Sequence, residues 1–101
     1  MFRSLFDMQK ALFIDTSSNK EIKIGLKIER KDYLLKRKIN TQKAQIALPM
    51  IDKLLKQQGV NLKDITLVEV STRYGSFTGI RVGMAIANAL SYVLKIPVKK
   101  I

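Results

Sequence analysis

The chain has 101 residues and a formal net charge of +11, from 19 basic and 8 acidic side chains. It has no cysteine, which excludes disulfides and thiolate chemistry and fits a cytoplasmic location. It also has no histidine, so the commonest general base and metal ligand is absent. One small domain is expected, without a signal peptide and without the roughly 20 apolar residues of a membrane span. The excess of basic over acidic residues indicates either a polyanionic partner or a lysine-rich composition of no functional meaning.

The first part of the chain predicts three strands. Residues 10–15 form an apolar run that ends in a turn cluster of short polar side chains. Apolar and charged residues then alternate strictly over residues 22–29, which predicts a strand with one solvated face. Residues 30–32 are predicted as a hairpin turn and residues 33–39 as a third strand, so three hairpin-linked strands are expected.

A first helix is expected from residue 41 to about residue 58. Asn40 or Thr41 can cap its start, and Gly59 suits the position just after its end. Pro49 lies inside it, where a proline removes a backbone donor, so the helix should kink there or have a boundary nearby. A short linker at residues 61–64 leads to a fourth strand at residues 66–70.

A second helix is expected over residues 79–94, with Ser76 or Thr78 as its N-cap. Gly79, Gly83 and Ala87 recur at every fourth position, and small residues at this spacing let a helix pack closely against another element. The helix is otherwise apolar on more sides than one sheet face can cover. A strand over residues 98–101 completes the order βββαβαβ, which indicates an α/β domain with a mixed sheet and two main helices.

Residues 75–83 read GSFTGIRVG and resemble the segment GSFTGLRIG of the TsaB (YeaZ) family. Residues 13–17 (FIDTS), 48–55 (LPMIDKLL) and 61–65 (NLKDI) are similar to the family's AIDTS, LLPMIDELL and SLKDI, in the same order. The resemblance covers most of the chain. It implies a ribonuclease H-like fold, as in the half-domains of actin, Hsp70 and the sugar kinases, with residues 1–101 as the first of the family's two domains.

Three departures from the family pattern affect what the resemblance implies. Arg73-Tyr74-Gly75 replaces GPG before the shared motif, so a loop that could contact phosphate loses a glycine and a proline. Lys43 stands where the family has a histidine. The sequence stops at Ile101, where family members continue into a second domain, so a cleft between two domains is not expected in one copy.

The resemblance implies a non-catalytic scaffold in the synthesis of threonylcarbamoyladenosine on tRNA. Such a scaffold pairs through its two helices with a TsaD-like enzyme and reaches a TsaE-like ATPase through that complex. The apolar helix faces themselves predict a homodimer when the chain is alone, because they are too large to leave in water. No enzyme activity, metal or cofactor is predicted for the chain itself, although a nucleotide at the partner interface stays open. The predicted interface residues are Ile46, Met50, Leu54, Val82, Ile86, Ala89, Leu90 and Val93.

Two alternatives involve the polar residues that follow the apolar strands. The loop before the second helix can bind an anion or a nucleotide phosphate at the helix N-terminus, although it has no Walker lysine. Asp15 can instead join Glu69 and Asp52 as the carboxylates of a metal-dependent nuclease. The predicted loop residues are Asp15, Thr16, Ser17, Gly75, Ser76, Thr78 and Gly79.

A basic nucleic-acid surface is the remaining alternative. Lysines recur on two neighbouring predicted strands, and they form either a tRNA contact or a solvated face with no such role. The sequence carries no aromatic pair of the kind that ribonucleoprotein sheets use, so stacking on bases is not predicted. The predicted tRNA-contact residues are Lys23, Lys27, Lys36 and Lys38.

Overall fold

In the computed structural model, which describes residues 9–39 and 43–101, the chain folds into five strands and two long helices. The strands are β1 (Lys10–Asp15), β2 (Glu21–Ile28), β3 (Lys31–Lys38), β4 (Leu67–Val70) and β5 (Val98–Lys100), and the helices are α1 (Lys43–Gln57) and α2 (Phe77–Leu94). One short 3₁₀ helix, Leu62–Asp64, precedes β4. The predicted order βββαβαβ is confirmed over the described residues.

The strands form one mixed sheet in the order β3-β2-β1-β4-β5, with β1 at its centre. β1 is antiparallel to β2 and parallel to β4, and β4 is parallel to β5. Parallel pairs need long crossover connections, and α1 and α2 lie in those connections. The predicted α/β class with a mixed sheet is therefore confirmed.

Both helices pack on one face of this sheet, α1 mainly against β2 and α2 mainly against β4. The alternation in β2 decides which face is covered, because Ile22, Ile24 and Leu26 are buried while their odd-numbered neighbours point the other way. Leu12 and Ile14 of β1 lie in the same core and are fully buried. Within residues 9–39 and 43–101, no helix covers the opposite face, which we term the uncovered sheet face.

The hairpin between β2 and β3 is tighter than predicted. Its turn consists of Glu29 and Arg30, and Glu29 has a left-handed backbone with φ of 57°. Lys31 pairs with Ile28 and Asp32 with Lys27, so the predicted turn at residues 30–32 is wrong. The strand therefore begins two residues before the predicted start, because backbone pairing extends into a charged segment that has no hydrophobic alternation.

Helix α1 continues on both sides of Pro49, so a boundary at that residue is excluded. Pro49 is exposed, which leaves the proline ring and the unpaired carbonyl of the preceding turn on the solvent side. Gly59 has a φ of 65° just beyond the helix, as predicted for a residue that ends it. The predicted caps Asn40 and Thr41 lie outside the described residues.

Helix α2 begins earlier than predicted, directly after Ser76. The Ser76 hydroxyl accepts from the backbone N–H of Gly79 at 3.2 Å, so Ser76 is the N-cap and Thr78 lies in the first turn. Lys95 ends the helix in a left-handed conformation with φ of 56°. The cap thus explains why the helix starts inside the GSFTG motif rather than after it.

Helix α2 is long and apolar enough, by length and composition, to cross a membrane, with a mean hydropathy of 1.3 over 18 residues. Gly79, Gly83, Ile86 and Ala87 pack against the sheet, as in a core helix. Only 17% of the same window is buried, so much apolar surface stays exposed. That surface is explained by a partner as well as by a membrane, and the absence of a membrane span stays a prediction.

Candidate functional site

The end of β1 with the turn after it meets the loop that leads from β4 into the first turn of α2, and these two segments contain all of the predicted anion-loop residues. The backbone N–H of Ser76 donates to the Ser17 carbonyl at 2.7 Å. The buried Thr16 hydroxyl donates to the Gly79 carbonyl at 2.6 Å. Gly75 has a φ of 113°, and a Cβ there would overlap the Ser17 carbonyl group. The two loops are thus locked together by hydrogen bonds and by the absence of side chains at two glycines.

Most polar groups of this loop pair already have partners inside the chain. The Asp15 carboxylate accepts from the Ser17 backbone N–H at 3.0 Å and from the Ser17 hydroxyl at 2.5 Å. Thr16 and Ser17 are buried, whereas Thr78 is exposed. This geometry makes Asp15 a turn-capping carboxylate, and the anion site at the loop stays a prediction.

Lys43 joins helix α1 to the same loops. Its ammonium group donates to the Thr16 carbonyl at 2.9 Å and approaches the Asn19 side-chain oxygen at 3.4 Å. Sequence reasoning treated Lys43 only as a replacement for a family histidine. Nothing in the sequence indicates that a lysine at the start of a helix donates a hydrogen bond to a loop residue 27 positions earlier in the chain.

The three carboxylates of the nuclease alternative do not lie close together. Asp52 is exposed on α1 and forms an ion pair with Lys56 at 2.9 Å. Glu69 lies on the uncovered sheet face, opposite Phe13 of β1. No group of three or more metal-binding side chains occurs in the part of the chain that the structure describes. A carboxylate cluster formed by Asp15, Glu69 and Asp52 is therefore wrong.

The predicted partner interface needs correction at three positions. Met50, Leu54 and Ile86 have exposed fractions of only 5%, 2% and 8%, so these side chains belong to the core. The remaining members are half-buried or exposed, and Val93 is 72% exposed. The members that keep accessible surface are Ile46, Val82, Ala89, Leu90 and Val93.

An apolar groove that was not predicted lies between the two helices and the 3₁₀ helix. Its volume is about 150 Å³, and we term it the helix groove. Leu48 and Leu62 on its rim are 53% and 39% exposed, so two large apolar side chains of one groove are open to solvent. The groove is lined by Leu48, Ile51, Asp52, Leu55, Leu62 and Leu90.

The four predicted tRNA-contact lysines share the uncovered sheet face. Lys23 is directly opposite Lys36 across β2 and β3, and its ammonium group also lies 3.7 Å from the Glu21 carboxylate. Lys27 is opposite Asp32, and Lys38 is opposite Glu21. The register therefore places all four on one face, while their contact with tRNA stays a prediction.

Comparison with known proteins assigns the chain to a family. A family model described as TsaD, tRNA N6-adenosine threonylcarbamoyltransferase, matches residues 37–101. This match covers more than half of the chain. The chain belongs to this family. The chain is also similar to curated TsaB proteins and to the solved structure of YeaZ, which confirms the resemblance found in the sequence.

Curated relatives carry the name tRNA threonylcarbamoyladenosine biosynthesis protein TsaB. The protein from Buchnera aphidicola (Schizaphis graminum) is 49% identical over 51 residues, which is 50% of this chain and 24% of the relative. The protein from Bacillus subtilis is 29% identical over 93 residues, which is 89% of this chain and 39% of the relative. The chain thus spans well under half the length of these TsaB proteins.

The solved structure of YeaZ from Pseudomonas aeruginosa has a TM-score of 0.87 and 29% identity, covering 93% of this chain and 44% of that one. RuvC from Thermus thermophilus has a TM-score of 0.54 at 11% identity, covering 92% of this chain and 64% of RuvC. RuvC shows the fold alone. Together the two neighbours confirm the predicted ribonuclease H-like fold.

Proposed function

We propose that this chain is a non-catalytic partner protein in the synthesis of threonylcarbamoyladenosine on tRNA. It binds a TsaD-like enzyme through the helix groove and the adjoining apolar surface of α2. The observation that carries this proposal is the exposure of large apolar side chains, Leu48 and Val93, on helices whose other faces already fill the core. A TsaE-like ATPase is then reached only through the enzyme.

The direct test is to mix the chain with the TsaD-like enzyme of the same organism and to measure the mass of the product. We expect a stoichiometric complex, because apolar side chains on the groove rim lose contact with water on binding. Two proteins that sediment independently at micromolar concentrations would contradict the proposal. Comparing the chain alone shows whether it pairs with itself instead.

A lack of turnover is the second expectation. The purified chain should neither hydrolyse ATP nor cut nucleic acid in Mg²⁺, since it has no histidine or cysteine and the carboxylates within residues 9–39 and 43–101 do not converge. The measurement is release of phosphate and of labelled nucleotides over hours. Turnover that disappears in Asp15→Asn would show catalysis and overturn the non-catalytic part of the proposal.

The lysines of the uncovered sheet face supply a third expectation. Changing Lys23, Lys27, Lys36 and Lys38 to glutamine should weaken tRNA binding by the complex and flatten its salt dependence. Each lost phosphate contact removes about one unit from the slope of log affinity against log salt concentration. An unchanged slope would show that these lysines only solvate the sheet.

A further inference from the structure

Two aromatic rings protrude where the loop after β4 enters α2, one from the loop and one from the first residue of the helix. Tyr74 is 82% exposed and Phe77 is 75% exposed. The guanidinium carbon of Arg81 lies 5.6 Å from the centre of the Phe77 ring, within the range of a cation–π contact. Arg73 is exposed beside Tyr74. We term Arg73, Tyr74, Phe77 and Arg81 the aromatic patch.

The backbone beneath the aromatic patch is anchored. Gly75 packs against the Ser17 carbonyl group, and the N–H of Ser76 donates to the same carbonyl at 2.7 Å. Both anchors lie between Tyr74 and Phe77, whose Cα atoms are at most about 11 Å apart by chain length. The rings are therefore presented to solvent from a fixed support, and both lie within reach of one short ligand.

The charge around the aromatic patch selects the kind of ligand. Arg73 and Arg81 are the two charged side chains within residues 71–94, and both are exposed. The first turn of α2 also has no acidic residue, so the positive end of its dipole is not neutralised there. Exposed ring faces beside two exposed arginines suit a polyanion that carries planar groups.

We infer that the aromatic patch binds single-stranded RNA. Bases stack on Tyr74 and Phe77, which accept any base because every base has a π face, and Arg73 and Arg81 bind the phosphates. The inference rests on the proposed function for its natural ligand, an unpaired loop of tRNA. It also explains the replacement of the family's glycine and proline by Arg73 and Tyr74, because both substitutions add groups that contact RNA.

The test uses fluorescence anisotropy with two labelled probes, an unpaired oligoadenylate and an RNA duplex of equal length. Tyr74→Ala and Phe77→Ala should each weaken oligoadenylate binding about tenfold, in the range for one lost stacking contact, and leave duplex binding unchanged. Arg73→Gln and Arg81→Gln should each lower the salt slope by about one unit with either probe. Tyr92→Ala is the matched control, since Tyr92 is 86% exposed on the same helix but outside the patch.

Two results would overturn the inference. One is unchanged oligoadenylate binding by Tyr74→Ala and Phe77→Ala while capture of the TsaD-like enzyme is lost, which makes the patch a protein interface. The other is an equal loss in Tyr92→Ala, which shows non-specific adsorption. Thermal melting confirms that each variant is folded. RNA binding without assembly with the enzyme would refute the proposed function and keep the inference, so the two fail separately.

Discussion

Replacing Gly79 by alanine is expected to lower the free energy of unfolding by about 2 kcal/mol, the cost of overpacking a tight contact. A Cβ at this position would overlap the Thr16 carbonyl oxygen and the Lys43 ammonium group. Thr16 cannot retreat easily, because it is 1% exposed and its hydroxyl donates to the Gly79 carbonyl. Helix propensity alone would make the alanine variant more stable by up to about 1 kcal/mol, so a loss of stability would show that the tight contact dominates. Urea denaturation at equilibrium measures the difference.

Thr78→Ala is the matched control for this substitution. Thr78 is the exposed neighbour of Gly79 in the same turn, so its replacement should change the free energy of unfolding by no more than about 0.5 kcal/mol. A Gly79→Ala variant as stable as the parent would show that α2 does not approach the β1–β2 turn this closely. The close packing between the turn after β1 and the start of α2 would then be contradicted.

The close approach of α2 was predictable, but its partner was not. Gly79, Gly83 and Ala87 at every fourth position predict a tightly packed helix, and a Cβ at Gly83 would indeed lie 2.7 Å from the Thr16 hydroxyl. Thr16 is 63 residues away from Gly79 along the chain. Local spacing contains no information about such a contact, which depends on β1 and β4 being parallel neighbours in the sheet.

The sequence also could not predict which side of each helix faces the sheet. α1 and α2 are apolar on more than one side, so hydrophobic periodicity alone cannot tell which side meets the sheet. That ambiguity explains why Met50, Leu54 and Ile86 were assigned to an interface although they fill the core. Leu48 was missed for the same reason, and its exposure is visible only once α1 is packed.

The strands were better determined than the loops. Strict alternation in β2 predicted which of its residues are buried, because a strand has only two faces. The same rule placed Lys23 and Lys36 on one face before their pairing was known. Residues in the loop before α2 and at the start of the helix follow no regular period, so the sequence did not predict the exposure of Tyr74 and Phe77. Base stacking was not predicted because only aromatic pairs on sheet strands were considered.

Leu48→Glu and Leu62→Glu should each weaken binding of the TsaD-like enzyme at least tenfold, which corresponds to about 1.4 kcal/mol or more. Both side chains line the helix groove, and both are exposed in the chain alone. A carboxylate in a desolvated apolar groove has no partner to offset its lost hydration. The fold should survive, which is why these positions are preferred to Ile86, whose side chain is buried.

Asn88→Glu provides the control, because it introduces the same charge on the polar, exposed side of α2, about 160° around the helix from Leu90. Its affinity for the enzyme, measured by calorimetry, should equal that of the parent. We expect the homodimer predicted for the chain alone to form through the same groove, so sedimentation of Leu48→Glu should show a shift to monomer. If Leu48→Glu and Leu62→Glu bind the enzyme as tightly as Asn88→Glu does, the helix groove is not the interface. The exposed α2 residues around Val93 would then be the next surface to test.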